Sequence, residues 1–218
     1  MIRAVVFDLD GVLVDTERLH WQAYRAVLAE LGVDMGLEEY RRHFIAEGGG
    51  PEYACRAYRL AVTPDELRDR KAPGYLALIA AGAPPRPGAA EALARLHPDF
   101  RLAVATNASR AEVRSVLSRL ANAALLDVTI ARDDYVRAKP APDAYLAAAA
   151  ALGLPPVECV VVEDTARGVR AARAAGMPVV AAPHDLTFDN DFTGCAQRVS
   201  HLDDLTPALL HGLAAVVS

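Results

Sequence analysis

The stretch that most restricts the fold stands at the N-terminus: Ile2-Arg3-Ala4-Val5-Val6-Phe7, followed at once by Asp8-Leu9-Asp10-Gly11. A nearly unbroken apolar run rich in Val and Ile reads as a strand buried on both faces, the kind found inside a parallel sheet. Parallel neighbours are joined by crossovers, usually helical, so such a strand calls for a chain that alternates helix and strand. At its carboxyl end Asp8 and Asp10 stand two residues apart, and Gly11 frees the backbone to turn away. Carboxylates this close repel, and burial raises the cost, so the pair calls for a cation or a shared proton. Taken alone, Asp10-Gly11 is equally good turn chemistry. What decides between the two is whether further polar groups follow other strands.

A chain of 218 residues supports one full core, or a core with a small inserted domain. Ala-rich helical segments alternate with Val-rich runs, which marks a soluble α/β protein. The net charge of −5 leaves no basic footprint for nucleic acid. No run reaches the ~18 apolar residues of a membrane span, and Met1 leads directly into the first strand, so a cytoplasmic location is expected, with no membrane partner. Cys55, Cys159 and Cys195 are odd in number and lack metal-type spacing, and read as reduced thiols.

After the first strand, Asp15 or Thr16 can cap a helix, Glu17 suits its positive end, and Tyr24, Val27, Leu28 and Leu31 repeat along one face until Gly32. His20 lies one turn in, where a lone histidine ordinarily packs or faces solvent. Between Gly36 and about Ala83 the pattern gives helices and no strand: Leu37 to Ala46, Glu52 to Leu60, and a third starting at the capping box Thr63-Pro64-Asp65-Glu66. Phe7 and the next apolar run at Leu102 stand about 90 residues apart, whereas a crossover needs only about a dozen. A helical subdomain therefore sits inside the first crossover. It spans residues 15–85, with residues 1–14 and 86–218 forming the core, and its hinges lie near Asp15-Thr16 and the proline-stiffened Ala83 to Gly88.

From Pro87 the alternation is regular. A helix over Ala89 to Leu96 leads to the strand Leu102 to Ala105, which ends in Thr106-Asn107-Ala108-Ser109. Ser109 and Glu112 form a capping box there, and a helix N-terminus beside a strand end is either an anion site or an ordinary turn. A strand over Asp127 to Ile130 is followed by Lys139-Pro140-Ala141-Pro142-Asp143 and a helix through Leu152. The prolines hold Lys139 in an extended segment, although most single lysines are solvated. The strand Cys159 to Val162 ends in Glu163-Asp164-Thr165, two acids poorly placed for a helix-surface salt bridge. A helix from Ala166 to Ala175, a strand near Pro178 to Ala182 and a helix from Asp203 to Leu213 complete the series.

Four groups thus follow strands in order: Asp8-Leu9-Asp10-Gly11, Thr106-Asn107, Lys139-Pro140 and Glu163-Asp164. In these the chain resembles the haloacid dehalogenase-like (HAD) phosphotransferase superfamily over its whole length, and the inserted helices look like the alpha-helical cap of its phosphoglycolate phosphatase and beta-phosphoglucomutase branch. The resemblance implies a Rossmann-like doubly wound parallel sheet of order 3-2-1-4-5, with ligands held beyond the strand ends where the order reverses. It implies a small phosphorylated metabolite as substrate, Asp8 as the nucleophile that forms an aspartyl-phosphate, and Asp10 as acid and then base. It further implies Mg2+ on Asp8, the Asp10 carbonyl and Asp164, with Glu163 assisting behind them or through water. Thr106, the Asn107 N–H and Lys139 would hold phosphate oxygens. Gly11 would belong to the phosphate-binding turn, and His20 and Lys71 would meet the substrate from the cap side.

Rival functions differ in what they require. Dehalogenases of the superfamily lack an acid equivalent to Asp10, and a non-catalytic phosphate binder would have lost Asp8 or Asp10. A beta-phosphoglucomutase-like mutase is the stronger rival, because His20 and Lys71 match residues of that branch that some phosphatases share. The mutase also needs a cap arginine, and the matching loop Glu47-Gly48-Gly49-Gly50-Pro51-Glu52-Tyr53 has none, leaving Arg42, Arg56 or Arg59 to reach inward. A magnesium-dependent phosphatase is the favoured expectation. Monomer and homodimer are equally open.

Overall fold

The computed structural model describes residues 1–213. Strand β1 (Ala4–Phe7) is fully buried and pairs in parallel on both sides, Val5 standing opposite Leu102 of β2 (Arg101–Ala105) and Val160 of β4 (Cys159–Glu163). With β3 (Val128–Ile130), β5 (Val179–Ala181) and β6 (Gln197–Arg198), the sheet is all-parallel in the order β3-β2-β1-β4-β5-β6. The expected order is therefore present and extended by one strand. That addition, β6, is two exposed residues long, too short and too polar to leave a hydrophobic period.

Alternate residues of the buried strands serve opposite faces. Val5 and Phe7 join Leu102, Val104, Val160 and Val162 in a core closed by helices α5 (Ala89–Leu96) and α9 (Pro207–Leu213). Ala4 and Val6 join Ala103, Ala105 and Val161 under α7 (Asp143–Leu152) and α8 (Ala166–Ala174). Both faces are apolar because both are covered.

The segment between β1 and α5 holds helices α1 (Glu17–Glu30), α2 (Leu37–Tyr40), α3 (Gly50–Ala57) and α4 (Pro64–Gly82). Tyr24, Leu28, Met35, Tyr40, Phe44 and Leu67 form a hydrophobic cluster of their own there. The helix expected over Leu37 to Ala46 is α2 continued as a π-helix, Arg41–Ala46. The capping box at Thr63 forms as expected, and so does the one at Ser109 that starts α6 (Arg110–Leu117). The two connections to the core run side by side, with Asp15 N–H donating to Pro84 O at 2.8 Å and Arg86 N–H to Leu13 O at 3.0 Å.

Two expected helix starts differ. Thr16 precedes α1 without capping it, because its hydroxyl donates instead to Asp10 Oδ1. The last helix begins at Pro207, not Asp203, since Pro suits a first helical position and Thr206 Oγ1 accepts the Leu209 N–H at 3.2 Å. Among the described residues, no helix is long and apolar enough to cross a membrane.

Candidate active site

The carboxyl ends of β1, β2 and β4 open on a cavity of about 470 Å³ that α1 and α4 cover. Asp8 directly follows β1, where the strand order reverses, and its N–H donates to Val162 O at 2.9 Å. The residue is 8% exposed, and its carboxylate accepts from the Lys139 ammonium through Oδ1. Lys139 Nζ also lies 2.9 Å from Ala105 O, 2.7 Å from Tyr145 Oη and 2.9 Å from Glu163 Oε1. With three protons for four acceptors, its direction is fully determined.

Glu163 holds that lysine in place. Its Oε1 also takes the Tyr145 hydroxyl at 2.7 Å, and its Oε2 accepts from the N–H groups of Asp164 (3.0 Å) and Thr165 (3.1 Å) and from the Thr165 hydroxyl (3.0 Å). Both oxygens of Glu163 are committed to protein donors, so it fixes Lys139 and stands behind Asp164, the position from which it was expected to assist. Burial pushes Glu163 up, but Lys139, Tyr145 and Thr165 hold it below its usual value. Burial pushes Lys139 down, and the Asp8 and Glu163 carboxylates overcome this and raise it to about 12. Asp8 is driven well above the carboxylate range by burial, which Lys139 offsets only in part.

Asp10 faces α1 and α4. Its Oδ1 accepts from Thr16 and from the Tyr75 hydroxyl at 3.3 Å, and His20 Nε2 lies 3.9 Å away. Burial raises Asp10, with the Thr16 bond opposing it. His20 is pushed well below its usual value by burial first and then by the positive Lys71 and Arg167, so it is neutral at pH 7. It stacks on Tyr75 with ring centroids 3.9 Å apart. Lys71 lines the cavity and directs its ammonium to His20 Nδ1 at 2.7 Å and over the Tyr75 ring at 3.7 Å. A neutral imidazole that accepts at Nδ1 carries its proton at Nε2, on the side of Asp10.

Thr106 Oγ1 lies 3.5 Å from Asp10 Oδ2, the outer limit of a hydrogen bond, and accepts from the Ala108 N–H at 3.1 Å. The Asn107 side chain accepts from the Tyr135 hydroxyl (2.7 Å) and the Lys139 N–H (3.1 Å), which ties the lysine segment to β2. Among the described residues, the backbone N–H groups of Leu9, Asp10 and Asn107 donate to no protein acceptor. These leave anion-directed donors at the ends of β1 and β2.

Asp164 completes the floor. It is 1% exposed; Oδ2 is 3.1 Å from His184 Nε2, and Oδ1 has no hydrogen-bond partner among the described residues. Burial raises Asp164, with His184 opposing. Burial lowers His184, but Asp164 and Asp185 more than compensate and hold it above its usual value. Gly11, at φ +78°, passes so close that a Cβ there would lie 2.1 Å from Asp164 Oδ2. No three His, Cys, Asp or Glu side chains among the described residues gather as a metal cage. A hard cation that takes one or two carboxylates and completes its octahedron with water, carbonyl and phosphate oxygens requires none. The oxygen-only donor set and the orphaned Asp164 Oδ1 fit such an ion.

The profile of the haloacid dehalogenase-like hydrolases matches residues 2–176. The chain belongs to the haloacid dehalogenase-like hydrolase family. Protein CbbY of Rhodobacter capsulatus is 35% identical over 213 residues, covering 92% of this chain and 94% of CbbY. Fructose-1-phosphate phosphatase YqaB of Escherichia coli is 30% identical over 181 residues, covering 81% of this chain and 94% of YqaB. The crystal structure of a CbbY mutant from Rhodobacter sphaeroides in complex with xylulose-(1,5)bisphosphate superposes with a TM-score of 0.79 at 32% identity, covering 94% of this chain and 96% of that one. Within the family, the enzyme class of this chain is a phosphoric monoester hydrolase.

Of the residues singled out in the sequence, Asp8, Asp10, Thr106, Asn107, Lys139, Glu163, Asp164, His20 and Lys71 all line this one cavity, with Gly11 packed behind Asp164. Three others escape a reading of the sequence. Tyr145 is the only aromatic residue of Ala-rich α7, and that was its available signal. Tyr75 looks like one more core residue of α4, and His184 is a single histidine after β5. Only the adjacency of β5 to β4 gives His184 meaning.

Proposed function

We propose that this enzyme is a magnesium-dependent phosphatase of small sugar phosphates, acting through a phosphoryl group carried on Asp8. The observation that carries the reading is a pair of carboxylates on one cavity with different partners: Asp8 held by Lys139, and Asp10 held by Thr16 and Tyr75. In this reading Asp8 Oδ attacks phosphorus and the ester oxygen leaves with the Asp10 proton. Asp10 then takes a proton from the water that releases phosphate from Asp8. A raised Asp10 is suited to being protonated at the first step. Lys139, Thr106 and the free N–H groups near them hold the phosphate oxygens. Magnesium would be held by Asp8, the Asp10 carbonyl and Asp164, and when bound it neutralises the charge that these carboxylates and the phosphate bring together.

The phosphatase-named relative and the sugar bisphosphate bound by CbbY support a phosphorylated sugar as substrate. Residues 15–85 act as the cap, which must open to exchange substrate and product. The three free cysteines suit a reducing compartment such as the cytoplasm. A mutase is supported less well. Arg42, Arg56 and Arg59 are exposed and absent from the cavity lining. The cap's Arg68 lines the cavity but is paired with Glu52 and Asp65. A panel of sugar phosphates assayed with magnesium and again with excess EDTA tests the reading. Release of inorganic phosphate that chelation abolishes is expected. Undiminished turnover in EDTA would overturn the metal, and conversion of beta-glucose 1-phosphate to glucose 6-phosphate with little phosphate released would overturn the phosphatase.

A further inference from the structure

We infer that His184 is a positioning residue for Asp164, gripping one carboxylate oxygen so that the other is presented to the cation. The inference rests on the magnesium reading above. His184 Nε2 lies 3.1 Å from Asp164 Oδ2, and the two side chains are 8% and 1% exposed. The remaining oxygen, Oδ1, is the one buried carboxylate oxygen of the site without a hydrogen-bond partner among the described residues. A carboxylate with one oxygen satisfied and one left bare has a chosen orientation, and the choice here is made by the imidazole.

The histidine is itself held from several sides. Its N–H donates to Thr187 Oγ1 at 2.9 Å, and the Thr187 N–H returns to His184 O at 3.0 Å, with Thr187 fully buried. Nδ1 lies 3.2 Å from Asp185 Oδ1, with the Leu186 N–H 3.3 Å away, and Nε2 is the donor to Asp164, since an ionised carboxylate only accepts. Asn190 Oδ1 accepts the Ala166 N–H at 3.2 Å and so ties the same loop to the start of α8, two residues beyond Asp164. From the opposite side Gly11 closes on the pair, a Cβ at that position lying 3.1 Å from His184 Nε2. Asp185 carries this arrangement outward to the cap by pairing with Arg18 of α1. That pair is exposed and therefore weak, so the buried Thr187 turn governs the imidazole and the cap contact only adds to it.

The test is divalent-ion binding without substrate, using Mn2+ as the probe and paramagnetic resonance as the readout, on wild type, H184L, H184Q and H184N. Loss of a group that orients a metal ligand typically costs ~10–100-fold in affinity, and that weakening is expected for H184L. The magnesium concentration needed for half-maximal activity should rise in parallel, with the substrate KM at saturating magnesium unmoved. The glutamine amide reaches where Nε2 stood, so H184Q should bind within a few-fold of wild type. The shorter H184N should bind as weakly as H184L. Should H184L fail to fold, the two amide variants still decide. Equal affinity of H184L and wild type, or of H184Q and H184N, would overturn the inference. A wild-type protein that binds no Mn2+ would overturn the magnesium reading itself.

Discussion

Lys71 is a cation buried where a charge is expensive. Burial pushes its pKa down from 10.5 to about 8, against the pull of Glu112, Asp10 and Glu17. Below about 8 the ammonium is charged and donates to His20 Nδ1; as pH rises through that value the charge is lost. Because the folded value is depressed, the unfolded chain binds the proton more tightly between about 8 and 10.5, so this group's contribution to stability rises with pH across that window. Activity and stability are therefore expected to move in opposite directions there. The pH profile of kcat/KM should fall above about 8 in wild type, and K71M should be less active with that limb gone; an identical limb in K71M would contradict the assignment. At this scale the sequence was legible where a residue follows a buried strand, as with Asp8, Asp10, Thr106 and Asp164. It was not legible for Tyr75 or His184, whose meaning comes from neighbours that only the folded chain supplies.

Helix α8 approaches the end of β4 so closely that Gly168 leaves no room for a side chain. A Cβ there would lie 1.7 Å from Glu163 Oε1, the atom that holds Lys139 and Tyr145. G168A should destabilise by ~1–3 kcal/mol, the usual cost of overpacking, and disturb Lys139 as well. Gly74 lies inside α4 with nothing within 4 Å of its Cβ position, so the opposite sign is expected. G74A should stabilise by ~0.5–1 kcal/mol through the better helix propensity of Ala. Paired thermal unfolding of the two variants checks both, and equal shifts would show that the contact at Glu163 does not limit the approach of α8. Helices announced by local chemistry, the capping boxes at Thr63 and Ser109, were readable from sequence. The π-helix Arg41–Ala46 and the strand β6 were not, since neither has a local signature and β6 exists only by pairing with β5.

The whole molecule is a sheet with the cavity at one end and the inserted helices lying over it. Those helices are held by the paired connections at Leu13–Asp15 and Pro84–Arg86, and by Arg18 and Arg41, which pair with Asp185 and Asp189 of the loop after β5. The double-faced apolar strand demanded parallel neighbours, and the order 3-2-1-4-5 was legible through the resemblance of the four motifs to a known family. The cavity was legible in part, through His20 and Lys71, and not in Glu17, Tyr24 or Arg68, which carry no motif. The central claim, that Asp8 carries the phosphoryl group, is tested most directly in the D10N variant. With its acid/base removed, turnover should fall by ~10²–10⁴, while an aryl phosphate, whose leaving group needs no proton, can still load Asp8. Mass spectrometry of D10N quenched after mixing with an aryl phosphate and magnesium should find one phosphoryl group on the peptide bearing Asp8. An unlabelled Asp8, together with a D8N variant that still hydrolyses the ester, would contradict the account.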